Sequence, residues 1–164
     1  GNRFDRAKVA LVQSLASLQK DDRFSIVTYG QDYMPKTRSY QTMYRFFSGS
    51  PVPASEVNRK AAKAWLNNLE PDGGTPTGPA VQKGLSLSND DKVIILITDG
   101  APNVEIGDWS ESAANIEAHR HYINASNRKR EKIHVFLISP WEAKFKKFGL
   151  DVAGDSGGNY AEVR

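Results

Sequence analysis

The chain has 164 residues, of which 39% are hydrophobic and 25% charged, and its formal net charge is +3. This balance predicts one globular domain with a substantial core. No apolar run approaches the roughly 20 residues that cross a bilayer, and the lack of cysteine excludes disulfides and thiolate sites. We expect no nucleic-acid binding, because Glu131 and Glu142 interrupt the basic runs.

The first half of the chain predicts two helices around a β-rich region. Apolar residues from Phe4 to Leu18 recur at spacings of three and four, as on one face of a helix. Phe24–Tyr29 is β-rich and ends at Gly30, and a short edge strand is predicted near Thr37–Thr42. A second helix is predicted over 54–69. Its predicted inward residues are Val57, Ala61, Ala64, Trp65 and Leu69.

The second half alternates strands with helices. A turn-rich segment, 70–78, leads into a helix from about Pro79 to Leu87, with Thr77 as its predicted N-cap. Lys92–Thr98 is a continuous apolar strand, typical of a parallel strand buried on both faces. A helix, a strand, a helix and a last strand are then predicted over 111–127, 133–138, 140–148 and 159–163. This alternation predicts an α/β fold, with a mostly parallel central sheet and helices on both faces.

Three segments together resemble the von Willebrand factor type A (vWA) family. They are Asp22–Tyr29 after the first helix, the loop Gly73–Gly78 before another helix, and Ile95–Gly100, a buried strand that ends in Asp-Gly. They occur in the family's order and cover nearly the whole chain. The resemblance implies a Rossmann-like vWA fold and a protein-binding role rather than an enzymatic one.

The resemblance also implies a divalent-cation site at the carboxyl ends of the strands, the metal-ion-dependent adhesion site (MIDAS). The family builds it from an Asp-x-Ser-x-Ser loop, a Thr in a second loop and an Asp after a strand, and the last two match Thr75 and Asp99. Hydroxyl and carboxylate oxygens suit Mg²⁺, and an Asp or Glu of a protein ligand would complete its shell. The implied partner surface comprises Gly74, Thr77, Gly100, Asn103 and Trp109.

The sequence departs from the family's pattern at its beginning. It contains no Asp-x-Ser-x-Ser, and it starts at the first helix without the apolar strand that precedes that helix in the family. We interpret residues 1–164 as one N-terminally incomplete vWA-like domain whose Mg²⁺ affinity is weak or absent, although the complete protein would bind the ion. The strands beside the missing one would pair directly, accept a strand from another molecule, or self-associate through their unpaired edges.

Three functional hypotheses follow. The first is a Mg²⁺-dependent interaction or adhesion module of a larger protein, bacterial in style and exported or at the cell surface in preference to cytoplasmic. The second is a metal-free vWA-like scaffold that binds by shape, which the missing loop favours. The third is an α/β enzyme, which is disfavoured because the sequence has no Gly-x-Ser-x-Gly, no Gly-x-Gly-x-x-Gly and no P-loop.

Overall fold

A computed structural model describes residues 3–70, 73–104, 106 and 110–163. Strands alternate with helices and include parallel pairs, which confirms the predicted α/β class. No helix within these ranges is long and apolar enough to span a bilayer. In chain order the elements are α1 (Arg3–Ser17), β1 (Arg23–Phe24), β2 (Val27–Met34), β3 (Ser39–Phe46), β4 (Val52–Pro53), α2 (Glu56–Asn67), α3 (Thr77–Ser86), β5 (Val93–Thr98), α4 (Ala113–Ser126), β6 (Lys132–Ile138), α5 (Ala143–Ser156) and β7 (Tyr160–Val163).

The parallel sheet β5-β6-β7 carries the larger apolar core. β5 pairs with β6 from Val93 opposite Lys132 to Thr98 opposite Leu137. Alternate side chains of the two strands, such as those of Leu96 and Val135, enter a core shared with α3, α4 and α5. The members of this core are Val81, Leu96, Ala101, Ile116, Ile123, Ile133, Val135, Phe145, Phe148, Val152 and Ala153.

A second apolar cluster lies between α1, α2 and the short β1–β4 pair. Ser55 caps α2, since its hydroxyl accepts a hydrogen bond from the Asn58 amide at 3.2 Å. Ala62 and Leu66 are the buried residues of α2, whereas Val57 is 75% exposed. The predicted inward positions of Val57, Ala61 and Ala64 are therefore wrong, since all three are exposed, whereas Trp65 and Leu69 pack against the cluster as predicted. The larger Leu66 side chain decides which side of the helix enters the cluster.

β2 and β3 form an antiparallel hairpin whose register pairs Val27 with Phe46 and Met34 with Ser39. The strand continues through Gly30, so the predicted end at that glycine is wrong. One glycine within a strand costs only about 0.5–1 kcal/mol, which the cross-strand ladder outweighs. The chain turns instead just after Met34.

The hairpin stands apart from the parallel sheet. No hydrogen-bonded pairing joins β2 to β5 in the described part of the chain, so the two strands do not pair directly. Among the described residues no strand pairs with the other edge of β5, and its side chains Val93 and Ile95 are 54% and 42% exposed. The prediction that this strand is buried on both faces is thus wrong for its first half. Tyr29 of β2 packs against the larger core and bridges the two parts with its side chain.

We expect the open edge of β5 to drive self-association, because unpaired backbone groups beside apolar side chains accept additional strands. Ile95→Lys places a charge at that edge and should shift sedimentation profiles towards the monomer, with a change of only about 0.5 kcal/mol in unfolding free energy. Val57→Lys, on the exposed side of α2, is the matched control. Equal association of both variants and the wild type would contradict this prediction.

Candidate functional site at the strand ends

Two loops meet at the carboxyl end of β5 and are joined by a reciprocal pair of hydrogen bonds. The Thr75 amide donates to Oδ1 of Asn103 at 2.8 Å, and the Asn103 amide donates to the Thr75 carbonyl at 3.1 Å. Asn103 thus pairs with the backbone of Thr75 through both its side-chain carbonyl and its own amide, as a residue of a neighbouring strand would. The loop that carries Thr75 therefore lies beside the loop that follows Asp99.

Gly73 and Gly74 allow the first of these loops to approach β2. The Gly74 amide donates to Oε1 of Gln31 at 3.1 Å, and Gly73 has a φ of 57°. A Cβ at Gly74 would lie 2.6 Å from both Oε1 of Gln31 and Cγ1 of Val104. Position 74 therefore requires glycine, because a larger side chain would collide with Gln31 and Val104. The hydrogen bond to Gln31 holds the loop against the hairpin.

The start of α3 is buried. Thr77 is the first residue of the helix, and Pro76 takes the cap position predicted for Thr77. Thr77 is fully buried in this structure, and its expected partner role stays a prediction. The Gly78 amide donates to Nδ1 of His119 at 3.1 Å. Burial lowers the pKa of His119 to about 4, so a neutral histidine satisfies this helix-end donor.

Asp99 directly follows β5, and its carboxylate faces Arg3 at the start of α1. Oδ2 of Asp99 lies 3.7 Å from Nη1 of Arg3, and the two side chains are 29% and 49% exposed. The Ala101 amide lies 3.4 Å from Oδ1 as a weak donor. The Arg3 guanidinium carbon lies 3.8 Å from the ring centroid of Trp141. The carboxylate of the candidate site is therefore already next to a positive charge.

Gly100 turns the chain away from β5 immediately after Asp99. Its φ is 86°, and a Cβ there would lie 2.8 Å from Cδ1 of Leu137 and from Cβ of Phe145. Its amide donates to Oγ1 of Thr98 at 3.2 Å. Gly100 is buried in this structure and turns the chain directly after Asp99, and its expected partner role stays a prediction.

Tyr29 extends from the hairpin to the strand end. Burial raises the pKa of its phenol, the neighbouring hydroxyls of Thr98 and Thr77 lower it, and the Asp99 carboxylate raises it again. The net pKa is raised, so the phenol stays protonated at neutral pH. The site therefore combines one carboxylate with neutral hydroxyl groups.

The described residues supply few ligands for a metal ion. Within the described ranges, no group of three or more His, Cys, Asp or Glu side chains is arranged to hold a metal. Asp99 offers a carboxylate and Thr75 a hydroxyl, whereas Mg²⁺ takes about six oxygens in octahedral geometry. Because Arg3 also faces the carboxylate, these residues by themselves do not fit a complete Mg²⁺ site.

Sequence reasoning missed several residues of this site, and it placed one residue that the structure does not describe. Arg3 and Asp99 lie far apart in the chain, so no local pattern predicts their contact. Gln31, His119 and Trp141 carry no spacing pattern that predicts their contacts. Trp109 lies outside the described residues, so its partner contact stays a prediction.

Solved structures confirm the predicted fold. A structure described as von Willebrand factor type A from Catenulispora acidiphila superposes with a TM-score of 0.65 at 19% sequence identity, covering 98% of this chain and 34% of that one. The pilus adhesin SpaC from Lactobacillus rhamnosus GG superposes with a TM-score of 0.63 at 15% identity, covering 98% of this chain and 25% of that one. The chain has the vWA fold.

Sequence comparison finds relatives that are much longer than this chain. The chain is 27% identical over 127 residues to the inter-alpha-trypsin inhibitor heavy chain H1 of Homo sapiens and 24% identical to that of Sus scrofa. Each match covers 71% of this chain but only 13% of the heavy chain. No family model matches the chain.

Gly100→Ala should destabilise the protein by about 2–4 kcal/mol, because alanine resists this φ and its Cβ would press on the core. Gly154→Ala is the matched control, since a Cβ there meets nothing within 4 Å. In α5 that change should be neutral or stabilising by about 0.5–1 kcal/mol. Urea unfolding checks both variants, and wild-type stability of Gly100→Ala would disprove the argument.

The depressed pKa of His119 predicts a pH-dependent stability. Its folded pKa of about 4 lies below the ordinary 6.5, so its contribution is complete above pH 6.5 and is lost as the pH falls towards 4, by up to about 3 kcal/mol. His119→Gln retains an acceptor for the Gly78 amide but does not titrate. Urea unfolding between pH 7 and 4 should show a shallower decline for this variant.

The control for this experiment is His121→Gln, because the His121 side chain is 73% exposed and pairs with Glu117 at the surface. It should keep the wild-type decline. If His119→Gln declines as steeply as His121→Gln, the buried histidine does not cause the pH dependence.

Proposed function

We propose that this vWA-fold chain is a protein-interaction module that holds its partner at the strand-end surface, which we define as Gly74, Thr75, Asp99 and Asn103. The observation that carries the proposal is the reciprocal hydrogen-bonded contact between Thr75 and Asn103 beside Asp99. It builds a fixed surface at the carboxyl end of a parallel strand, where open α/β sheets bind ligands. All four residues are at least partly accessible to solvent.

A binding role fits the chemistry of this surface better than a catalytic one. Its polar groups are one ion-paired carboxylate, a hydroxyl and an amide. The nearest buried histidine, His119, is engaged by the Gly78 amide and is fully enclosed. Among the described residues of the strand-end surface, none forms a nucleophile with an adjacent base. The adhesin among the structural neighbours also supports adhesion or protein binding.

We extend the proposal to a divalent cation at this surface. Asp99 and Thr75 supply two oxygen ligands, while water and an Asp or Glu side chain of the partner supply the others. With so few ligands from the chain, the affinity for Mg²⁺ alone is weak. The similarity to a pilus adhesin supports an exported or cell-surface location.

The alternative is a metal-free scaffold that binds its partner by shape. The ion pair between Arg3 and Asp99 favours it, because the carboxylate needs no metal to be neutralised. The two candidates differ in one measurable property. Only the first makes the strand-end surface respond to Mg²⁺.

The test is a titration of the ¹⁵N-labelled chain with MgCl₂, followed by amide chemical shifts, with sodium acetate as a mimic of the partner's carboxylate. We expect saturable shifts at Thr75, Gly100 and Asn103 that acetate enhances and that Asp99→Asn abolishes. Asp90→Asn removes an equal charge near the other end of β5 and should leave the response intact. Shifts that survive Asp99→Asn, or that spread evenly over surface acids, would favour the metal-free scaffold.

A further inference from the structure

We propose that the tip of the β2–β3 hairpin binds an acidic, extended segment of a protein partner through direct contacts that need no metal ion. We define the hairpin-tip surface as Tyr33, Lys36, Arg38 and Tyr40 together with the outer edge of β3. The inference rests on the proposed function, because it names the chemistry of a partner that a protein-interaction module would hold. It adds a second binding surface beside the strand ends.

An exposed pair of aromatic rings forms the body of this surface. Tyr33 and Tyr40 lie opposite each other in the register of the hairpin, so both side chains project from the same face. The ring centroids are 5.4 Å apart, and the two residues are 49% and 56% exposed. Tyrosine is one of the residue types that contribute most to binding at protein interfaces, because its rigid ring loses little entropy when it is covered. The two rings therefore offer a contact area that is already assembled.

Two cations beside the rings have no carboxylate partner. Asp32 is the single acidic residue of the two strands and their turn, and its two oxygens accept hydrogen bonds from Arg45 at 2.8 and 2.7 Å. Lys36 and Arg38 are exposed, and no ion pair joins either of them to an acid in the described part of the chain. The tip thus presents uncompensated positive charge next to its aromatic rings, which selects a partner segment that carries carboxylates.

The turn between the strands holds these cations in a defined place. The Thr37 amide donates to the Met34 carbonyl at 3.2 Å, and the hydroxyl oxygens of Thr37 and Ser39 are 2.8 Å apart. Arg38 takes the left-handed conformation, with a φ of 51°, as the chain enters β3. A turn that is already hydrogen-bonded within itself loses less conformational entropy when a partner binds.

The outer edge of β3 can accept a further strand. Among the described strands β3 pairs only with β2, and Ser39, Tyr40 and Gln41 are exposed where it begins. The strand has 8 residues and contains neither proline nor glycine. Such an edge offers backbone donors and acceptors to an extended peptide, whose alternate side chains would then face Tyr40. This edge favours an extended segment over a helix as the occupant.

The amount of charge favours a protein segment over a lipid surface. Basic segments that hold anionic membranes cluster roughly four to eight cations, whereas this turn presents only Lys36 and Arg38. Their neighbours are tyrosine rings and an unpaired strand edge, which suit the side chains and the backbone of a peptide.

The hairpin-tip surface lies next to the strand-end surface. Gln31 accepts a hydrogen bond from the Gly74 amide at 3.1 Å, and it lies two positions before Tyr33 on the same face of the hairpin. Two residues of a strand span about 7 Å, so Tyr33 lies just beyond the loop that carries Thr75. A single partner can therefore cover both surfaces.

The first experiment selects ligands from a phage-displayed library of random peptides in a buffer with EDTA, so that no divalent cation contributes. The wild type should enrich peptides in which aspartate or glutamate alternates with apolar residues. The double variant Lys36→Glu, Arg38→Glu should instead enrich basic peptides. Lys20→Glu, Lys63→Glu is the matched control, because it makes the same change of charge at two exposed cations outside the hairpin. It should enrich the same peptides as the wild type.

The second experiment measures the affinity of the most enriched acidic peptide by calorimetry. Reversing both tip charges should weaken binding by about tenfold or more, and Tyr40→Ser should weaken it by about fivefold or more, because an aromatic contact is lost. The control variant should change the affinity by less than about twofold, because its charges are distant and screened. Amide shifts of the ¹⁵N-labelled chain should map the peptide to residues 33–41, and the outer-edge amides of β3 should exchange with solvent more slowly.

Several results would overturn the inference. One is an enriched peptide that binds Lys36→Glu, Arg38→Glu as tightly as the wild type. Another is a set of amide shifts confined to Gly74, Thr75 and Asn103, which would leave the proposed function standing. If the library yields no acidic peptide, the inference also fails, while the proposed function is still decided by its own titration.

Two other occupants of the hairpin-tip surface are tested in parallel. The wild type is sedimented with vesicles of equal parts phosphatidylcholine and phosphatidylserine, and by itself over a range of concentrations. We expect neither vesicle binding nor self-association that depends on Lys36 and Arg38. Vesicle binding that the double variant abolishes would identify a lipid surface as the occupant, and self-association that it abolishes would identify a second copy. Either result would overturn the assignment to an acidic protein segment.

Discussion

The parallel pairing of β5 with β6 is the interaction on which the rest of the structure depends. Because the strands run in the same direction, they end at the same edge, and Asp99 and Ser139 follow them there. The beginning of α1 then contacts both ends, through Arg3 to Asp99 and through Arg6 to Ser139. Any slip in this ladder would shift Asp99 relative to Ser139 and so disturb the two contacts that α1 makes there.

The contact between the two parts of the fold is made by side chains rather than by a sheet ladder. A continuous sheet would satisfy the backbone groups along β5, whereas here the hairpin reaches the core through Tyr29 and reaches the loop through Gln31. Side-chain contacts bury less and satisfy fewer backbone donors than a strand would. The exposed side chains of Val93 and Ile95 show where this difference is greatest. The strand-end surface therefore lies between the well-packed parallel sheet and a hairpin that is held by side-chain contacts.

The sequence predicted what depends on local pattern, and it failed where distant residues decide. Apolar periodicity correctly indicated the α/β order, and the ending of β5 at Thr98 placed Asp99 at a strand end. The strand was predicted to end at Gly30, but the hydrogen-bond ladder of the hairpin outweighs the weak strand preference of one glycine. Val57 was predicted to face inward, but the packing of bulkier side chains sets which side of α2 is buried. The pairing of Arg3 with Asp99 joins residues far apart in the chain, and no local pattern encodes it.

The placement of Arg3 ties the Asp99 carboxylate to the docking of α1. The same guanidinium contacts the carboxylate of the site and stacks on Trp141, so it holds the first turn of the helix against the strand ends. Loss of the contact with the carboxylate would leave the aromatic one, together with the hydrogen bond from Arg6 to Ser139. Since exposed ion pairs contribute only about 0.2–1 kcal/mol, the helix stays docked while its first turn gains freedom. The charge that neutralises Asp99 belongs to α1, so the strand end and that helix are coupled by this small energy.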